Sequence, residues 1–242
     1  EKLENSKDII IPVFSSPEEC EEKFPDLRQE FKSIGKNVLF IVGGSGNLSL
    51  ASLVLLEQIK DNSKIQILYV KPEIEFLGAD AKYKEKLVFN VFQEYARSGL
   101  IENLYIVSND MIEKALGGLS IISYFKKINE TIATTFHMYQ QFQKMKPVAS
   151  TISNVPIATR ITTFGLFSFK NEEEKPFYNL HEISDIMFFF TLNEKDLEKD
   201  VNLTNKIKKI VKNRLEADIL RVSYAVYATN YDNDFVICSY HT

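Results

Sequence analysis

The sequence predicts an α/β protein: a Rossmann-like parallel sheet with helices, then one long central helix, then a smaller α+β module. Three observations carry that prediction. Apolar runs of strand length at residues 38–42, 65–70 and 104–107 alternate with stretches of helical spacing. A helical pattern over residues 120–146 lies between Gly117-Gly118 and the stop at Pro147. Beyond Pro147 the chain turns strand-rich. The expected division is 1–119, the central helix 120–147, and a C-terminal domain 148–242.

Each element has its own signal. Residues 8–14 form a short apolar run and read as a strand. Ser16 is a natural N-cap, Pro17 suits the first helical position, and Glu18 and Glu19 suit the first turn. That helix is expected to reach Ile34 and stop at Gly35. Residues 38–42 (VLFIV) are apolar throughout, as in a buried parallel strand. Residues 48–60 place Leu50, Leu53, Val54 and Ile59 at helical spacing. A strand at 65–70 ends at Lys71-Pro72, and a helix over 80–97 carries Leu87, Val88, Val91 and Tyr95 on one face. The strand at 104–107 runs into a short helix opened by Asn109-Asp110. In the second half, 160–169 and 185–192 read as strands, with Phe188 to Phe190 buried. Residues 201–215 form an amphipathic helix with a solvated lysine face. Residues 219–227 and 234–240 flank a turn signal at 230–233 and predict a hairpin. The charge cluster at 172–175 reads as a loop.

Composition removes several functions. The 242 residues carry 29 basic and 33 acidic side chains, and a net charge of -4 argues against a dedicated nucleic-acid binder. No run approaches the roughly 20 apolar residues of a membrane span. Cys20 and Cys238 are the only cysteines, too few for a zinc cluster, and His137, His181 and His241 fall in different elements, so no metal site is expected. The composition and the absence of a secretory pattern point to the cytoplasm. The chain starts at Glu1 rather than Met, so a segment is expected upstream.

Gly43-Gly44-Ser45-Gly46-Asn47 is the most informative short segment. It follows an apolar strand and opens a helix. Glycines let backbone amides approach an anion, and the helix N-terminus adds positive potential. Two readings stand: a phosphate cradle, or a tight turn that needs glycine geometry. No Gly-Lys-Ser/Thr follows, and the GxGxxG fingerprint is absent.

These landmarks together resemble the tubulin/FtsZ superfamily, including its phage and plasmid members. The stretch from Val42 to Leu48 is similar to the family's Gly-rich signature, with three glycines and Ser45 in place. Lys71-Pro72, then Phe76-Leu77-Gly78, then Ser108-Asn109-Asp110 follow in the family's order. The long helix and the strand-rich second half complete the resemblance, which spans roughly residues 36–240.

The resemblance implies a nucleotide-binding-type first domain, with GTP or GDP as ligand and Mg only alongside nucleotide. Gly43, Gly44, Ser45, Gly46 and Asn47 would face phosphate. Phe125 and Asn129, one helical turn apart, would hold the base; the alternative is a core Phe and a surface Asn. It further implies self-association, or docking on another tubulin-like protein, through longitudinal faces. Other positions depart from the pattern. Leu77 and Ala81 stand where the family has an acid and an Arg. The first phosphate loop has no counterpart here and is expected upstream.

Catalysis departs most. In the family, an acidic loop after the central helix completes the neighbouring subunit's site, because carboxylates polarise the attacking water. The matching loop here starts at Asn154, and Pro156 and Thr159 replace both acids. No Asp or Glu occurs anywhere from Thr131 to Asn171. The expectation is a structural or filament-associated protein that has lost GTP hydrolysis, and nucleotide binding is itself in doubt on these motifs. Two alternatives stand beside it: an active polymerising GTPase whose first phosphate loop lies upstream, and a pseudo-GTPase binding module that regulates another assembly.

Overall fold

The structure, a computed structural model, describes residues 7–46, 48–60, 64–153, 159–169, 171–215, 219–230 and 235–242. It begins with β1 (Asn37–Gly43), α2 (Ser49–Ile59), β2 (Lys64–Lys71), α3 (Ala79–Arg97), β3 (Asn103–Ser108), α4 (Asn109–Leu116) and α5 (Tyr124–Phe142), preceded by α1 (Pro17–Lys23). The second half holds β4 (Ala149–Ser150), β5 (Ile161–Ser168), β6 (Glu173–Pro176), β7 (Asp185–Asn193), α6 (Glu194–Lys199), α7 (Leu203–Leu215), β8 (Arg221–Thr229) and β9 (Phe235–His241).

One sheet runs through both halves, in the order β1-β2-β3-β5-β9-β7-β8-β4, with β6 on the side of β5. Strands β1, β2, β3 and β5 are parallel. β9 is antiparallel to both β5 and β7. Helices cover both faces. Ile67, Tyr69, Leu104 and Ile106 pack on one face with α2 and α3. Leu68, Tyr105 and Val107 pack on the other with α5.

Helix α5 spans the junction because its apolar stripe is long enough to touch both halves. Ile128, Ile132, Phe136, Tyr139 and Phe142 recur at steps of three and four and face the sheet. They meet Tyr105 of β3, Phe164 of β5, Phe189 of β7 and Tyr227 of β8.

The structure departs from the sequence reading in several places, and adds β4 and α6, for which the sequence reading had no element. Residues 8–14 form no strand; Pro12 removes a ladder donor, and only Phe14 is buried. Helix α1 stops at Lys23 rather than Ile34, because Phe24 precedes Pro25 and takes extended angles of φ -66° and ψ 132°. Helix α5 starts at Tyr124 and ends at Phe142, shorter at both ends than expected. The amphipathic second-half helix starts at Leu203. The charged cluster contributes β6, whose backbone pairs with β5 while Glu173 stays in solvent. The expected hairpin is absent: β7 lies between β8 and β9. A strand apolar on both faces needs neighbours on both edges. Met187 and Phe189 of β7 point to the α5 side, Phe188 and Phe190 to the α7 side. The turn signal at residues 231–233 lies outside the described residues.

Candidate functional site at the ends of β1, β2 and β3

The parallel strands β1, β2 and β3 end together, and the loops beyond them gather most of the motif residues. In open α/β sheets this carboxyl end is where ligands bind. Gly43 closes β1 and the turn passes through Gly44, Ser45 and Gly46 into α2. Asn47 lies outside the described residues.

The glycines have different reasons to be glycine. None of the three has a positive φ, so left-handed geometry does not require them. A Cβ on Gly44 would lie 2.1 Å from Tyr69 Oη and 2.9 Å from Pro72 Cδ, so packing alone demands glycine there. A Cβ on Gly43 would meet nothing within 4 Å, and one on Gly46 would come no closer than 3.9 Å to the Leu48 amide nitrogen. The fold leaves open space at both. Bare backbone facing open space is what close approach of a ligand needs.

Among the described residues, no side chain caps the start of helix α2. Leu48 at its N-cap makes no side-chain capping bond, and its first turn holds no acid. The Ser49 hydroxyl and the Ser49 amide both donate back to Gly46 O, at 2.8 and 2.9 Å, and pin the turn to the helix.

A cavity of about 350 Å³ lies at the ends of β2 and β3, lined by Lys71, Pro72, Glu73, Ser108 and Asp110 among others; of these, Pro72 also packs against Gly44. Tyr124 at the start of α5 donates its hydroxyl to Glu73 Oε1 at 2.5 Å, tying the helix to the segment after β2. Burial and the Glu73 carboxylate raise the ionisation of that phenol, so it stays a donor.

Phe125 and Asn129 do not share one closed pocket. Phe125 is 70% exposed and meets Tyr124 edge-on at 5.2 Å. It is therefore not a core residue. Asn129 is exposed at the end of an apolar groove of about 710 Å³ between α5 and β1–β2, whose floor includes Leu39, Ile41 and Leu68. Both residues lie in the first two turns of α5, which Tyr124 ties to the segment after β2.

The sequence reading passed over two features. Asn109 was seen only as a landmark, yet its Oδ1 is buried and lacks a hydrogen-bond partner among the described residues. It stands between two residues that line the cavity. The second is the trio of buried Tyr69 and Glu85 with half-buried Lys71 beneath the turn; nothing in spacing reveals it, since Glu85 reads as one more charge on a helix.

The acid-free stretch lies elsewhere. Pro156 falls outside the described residues, and Thr159 is half-buried just before β5. Arg221 links Asp185 to this stretch, donating from Nε to Asp185 Oδ2 at 2.9 Å and from Nη1 to Ser153 Oγ at 3.3 Å. Asp185 is buried and ion-paired, so it is not presented at the surface. Among the described residues no three His, Cys, Asp or Glu side chains gather to hold a metal ion, and no helix is long and apolar enough to cross a membrane.

No family model and no curated protein sequence matches the chain. Solved structures do. CetZ from Methanosaeta thermophila superposes with a TM-score of 0.61 at 15% identity, over 88% of this chain and 63% of that one. A GTPγS-form protofilament of TubZ from Bacillus thuringiensis serovar israelensis gives 0.63 at 16%, over 89% and 64%. An FtsZ dimer from M. jannaschii gives 0.60 at 10%, over 93% and 68%. The chain thus spans under two thirds of these particular CetZ and TubZ chains. Its sheet, its central helix and its strand-rich second half together place it in the tubulin/FtsZ fold.

Proposed function

We propose that this chain is a tubulin/FtsZ-like filament subunit, or a protein that docks on such a filament, which receives a guanine nucleotide as a structural ligand and does not hydrolyse it. The observation that carries the loss of hydrolysis is the absence of any Asp or Glu from Thr131 to Asn171. An acidic side chain there would be needed to polarise water on a neighbour's nucleotide.

Nucleotide binding is supported by the turn and its surroundings. Gly43 and Gly46 present bare backbone to open space, and α2 starts without a side-chain cap. That arrangement suits phosphate. Asn109, with its unpartnered buried Oδ1, suits a ligand donor, and exposed Phe125 suits a stacked ring. Mg would arrive only with the nucleotide, since the charged groups named at this end are paired within the chain. Assembly is supported by the likeness to a TubZ protofilament and an FtsZ dimer.

Calorimetry of GTP and GDP on the purified chain, with turnover followed in the same sample and pelleting scored beside it, tests the reading. The expected result is binding and sedimentation without turnover. Turnover would overturn the loss of hydrolysis. Binding that survives Gly46→Asp would remove the turn as the cradle.

A further inference from the structure

We infer that Tyr69, Glu85 and Lys71 are positioning residues that clamp the glycine turn from below and so set its affinity for phosphate. The use of the turn rests on the cradle proposed above; the clamp itself does not.

The geometry starts at Gly44. Its amide donates to Val70 O at 3.0 Å, which holds the turn against the end of β2. Its Cα rests on the Tyr69 side chain: of the atoms a Cβ would meet, the phenol oxygen is nearest and Cζ is next at 2.7 Å. The height of the turn above the sheet is therefore the height of the Tyr69 hydroxyl.

That hydroxyl is itself fixed. Tyr69 is completely buried, stacked on Phe89 at 5.2 Å and edge-on to Phe92 at 5.8 Å. Its Oη donates to Glu85 Oε1 at 2.9 Å. The same oxygen accepts from Lys71 Nζ at 2.6 Å. Lys71 Nζ also lies 4.0 Å from the centre of the Phe89 ring. Glu85 is buried in the middle of α3. A buried carboxylate is costly unless charge and hydrogen bonds answer it, and here one cation and one hydroxyl do. A phenylalanine at position 69 would fill the core about as well. It would lack the oxygen that touches the turn and would leave Glu85 with Lys71 alone. Lys71 also lines the cavity at the ends of β2 and β3.

Amide hydrogen exchange of the full chain, without nucleotide, tests the clamp in Tyr69→Phe and Glu85→Gln. Exchange at residues 43–46 is expected to quicken by about tenfold in Tyr69→Phe, the weight of one hydrogen bond, while strand β3 keeps its protection. Glu85→Gln keeps an acceptor for the phenol and is expected to show a smaller rise; it reads the clamp if Tyr69→Phe does not fold. Binding of GDP and of guanosine then tests the use of the turn. GDP affinity is expected to fall about fivefold in Tyr69→Phe with guanosine unchanged, because only GDP carries phosphate. Unchanged exchange at 43–46 in both variants overturns the clamp. Equal losses for GDP and guanosine overturn its role in phosphate affinity. If the unmodified chain binds no GDP while exchange still quickens, the cradle fails and the clamp stands.

Discussion

At the scale of single residues, neighbouring glycines carry unequal constraints. Gly44→Ala drives a Cβ into Tyr69 and Pro72 and is expected to cost about 1–3 kcal/mol in denaturant unfolding, as overpacking does. Gly43→Ala and Gly46→Ala meet open space and are expected to stay within about 0.5 kcal/mol. Either change is nevertheless expected to weaken GDP binding, and that split separates fold from ligand. His241 gives a second residue-level prediction. It lies in a cross-strand row, opposite Thr162 on one side and Asp185 on the other, with Arg221 beyond Asp185. Its Nδ1 is 3.0 Å from Thr162 Oγ1 and its Nε2 is 3.2 Å from Ser239 Oγ. Burial pushes its ionisation down, the Asp185 carboxylate partly opposes that and Arg221 adds a smaller lowering, so that it falls from 6.5 to about 4. The unfolded chain therefore takes up a proton that the folded chain refuses between those values. Stability from this group is full above 6.5 and declines as pH falls toward about 4, by on the order of 3 kcal/mol. Urea midpoints across that range should show the slope, and His241→Gln should flatten it. Local sequence shows a glycine or a histidine; it does not show what a distant strand places against it.

At the scale of elements, local signals served where they were punctuated. Pro17 and Ser16 start α1, and the glycines at 117 and 118, with φ of +79° and +96°, separate α4 from the approach to α5. Two misses had local causes in Pro12 and Pro25; two others came where a tertiary contact decided. α5 ends at Phe142, whose carbonyl accepts from the buried Tyr227 hydroxyl at 2.5 Å, four residues before the lysine that precedes Pro147. Tyr227 of β8 thus finishes a helix 85 residues upstream. Tyr227→Phe is expected to lower unfolding stability by about 1–3 kcal/mol, because it strands a buried carbonyl, while leaving GDP binding unchanged. The missing hairpin follows the same logic. A turn between β8 and β9 looked local, but the two-faced apolar β7 takes the place between them.

At the scale of the whole molecule, α5 and the shared sheet bind the halves together. Truncating a ring in that shared core should therefore be felt in both. Phe136→Ala removes contacts to Tyr105 of β3 and Phe164 of β5 and is expected to cost about 3–5 kcal/mol. The loss should appear as one transition by fluorescence and by circular dichroism. The site lies at the carboxyl ends of β1, β2 and β3, whereas Thr159 and Arg160 of the acid-free stretch precede β5, at the opposite end of the parallel strands. On the function proposed above, a second subunit would have to bring the two together. We predict that GTP turnover stays at the solution rate even in sedimented material, and that adding Pro156→Asp and Thr159→Asp raises it only where subunits assemble.

From β1 to α5 the order of strands and helices was determined by the sequence alone. Hydrophobic period and Gly/Pro punctuation are local, and local chemistry is enough to set them. The acid-free stretch was likewise certain from sequence, because no register can supply a carboxylate that the chain lacks. The tertiary structure alone decided the rest: strand order, the role of β6, the exposure of Phe125, the groove at Asn129, the orphan oxygen of Asn109 and the clamp beneath Gly44. Each depends on which distant residue arrives at a given point, and pairing across tens of residues leaves no periodic trace in the chain.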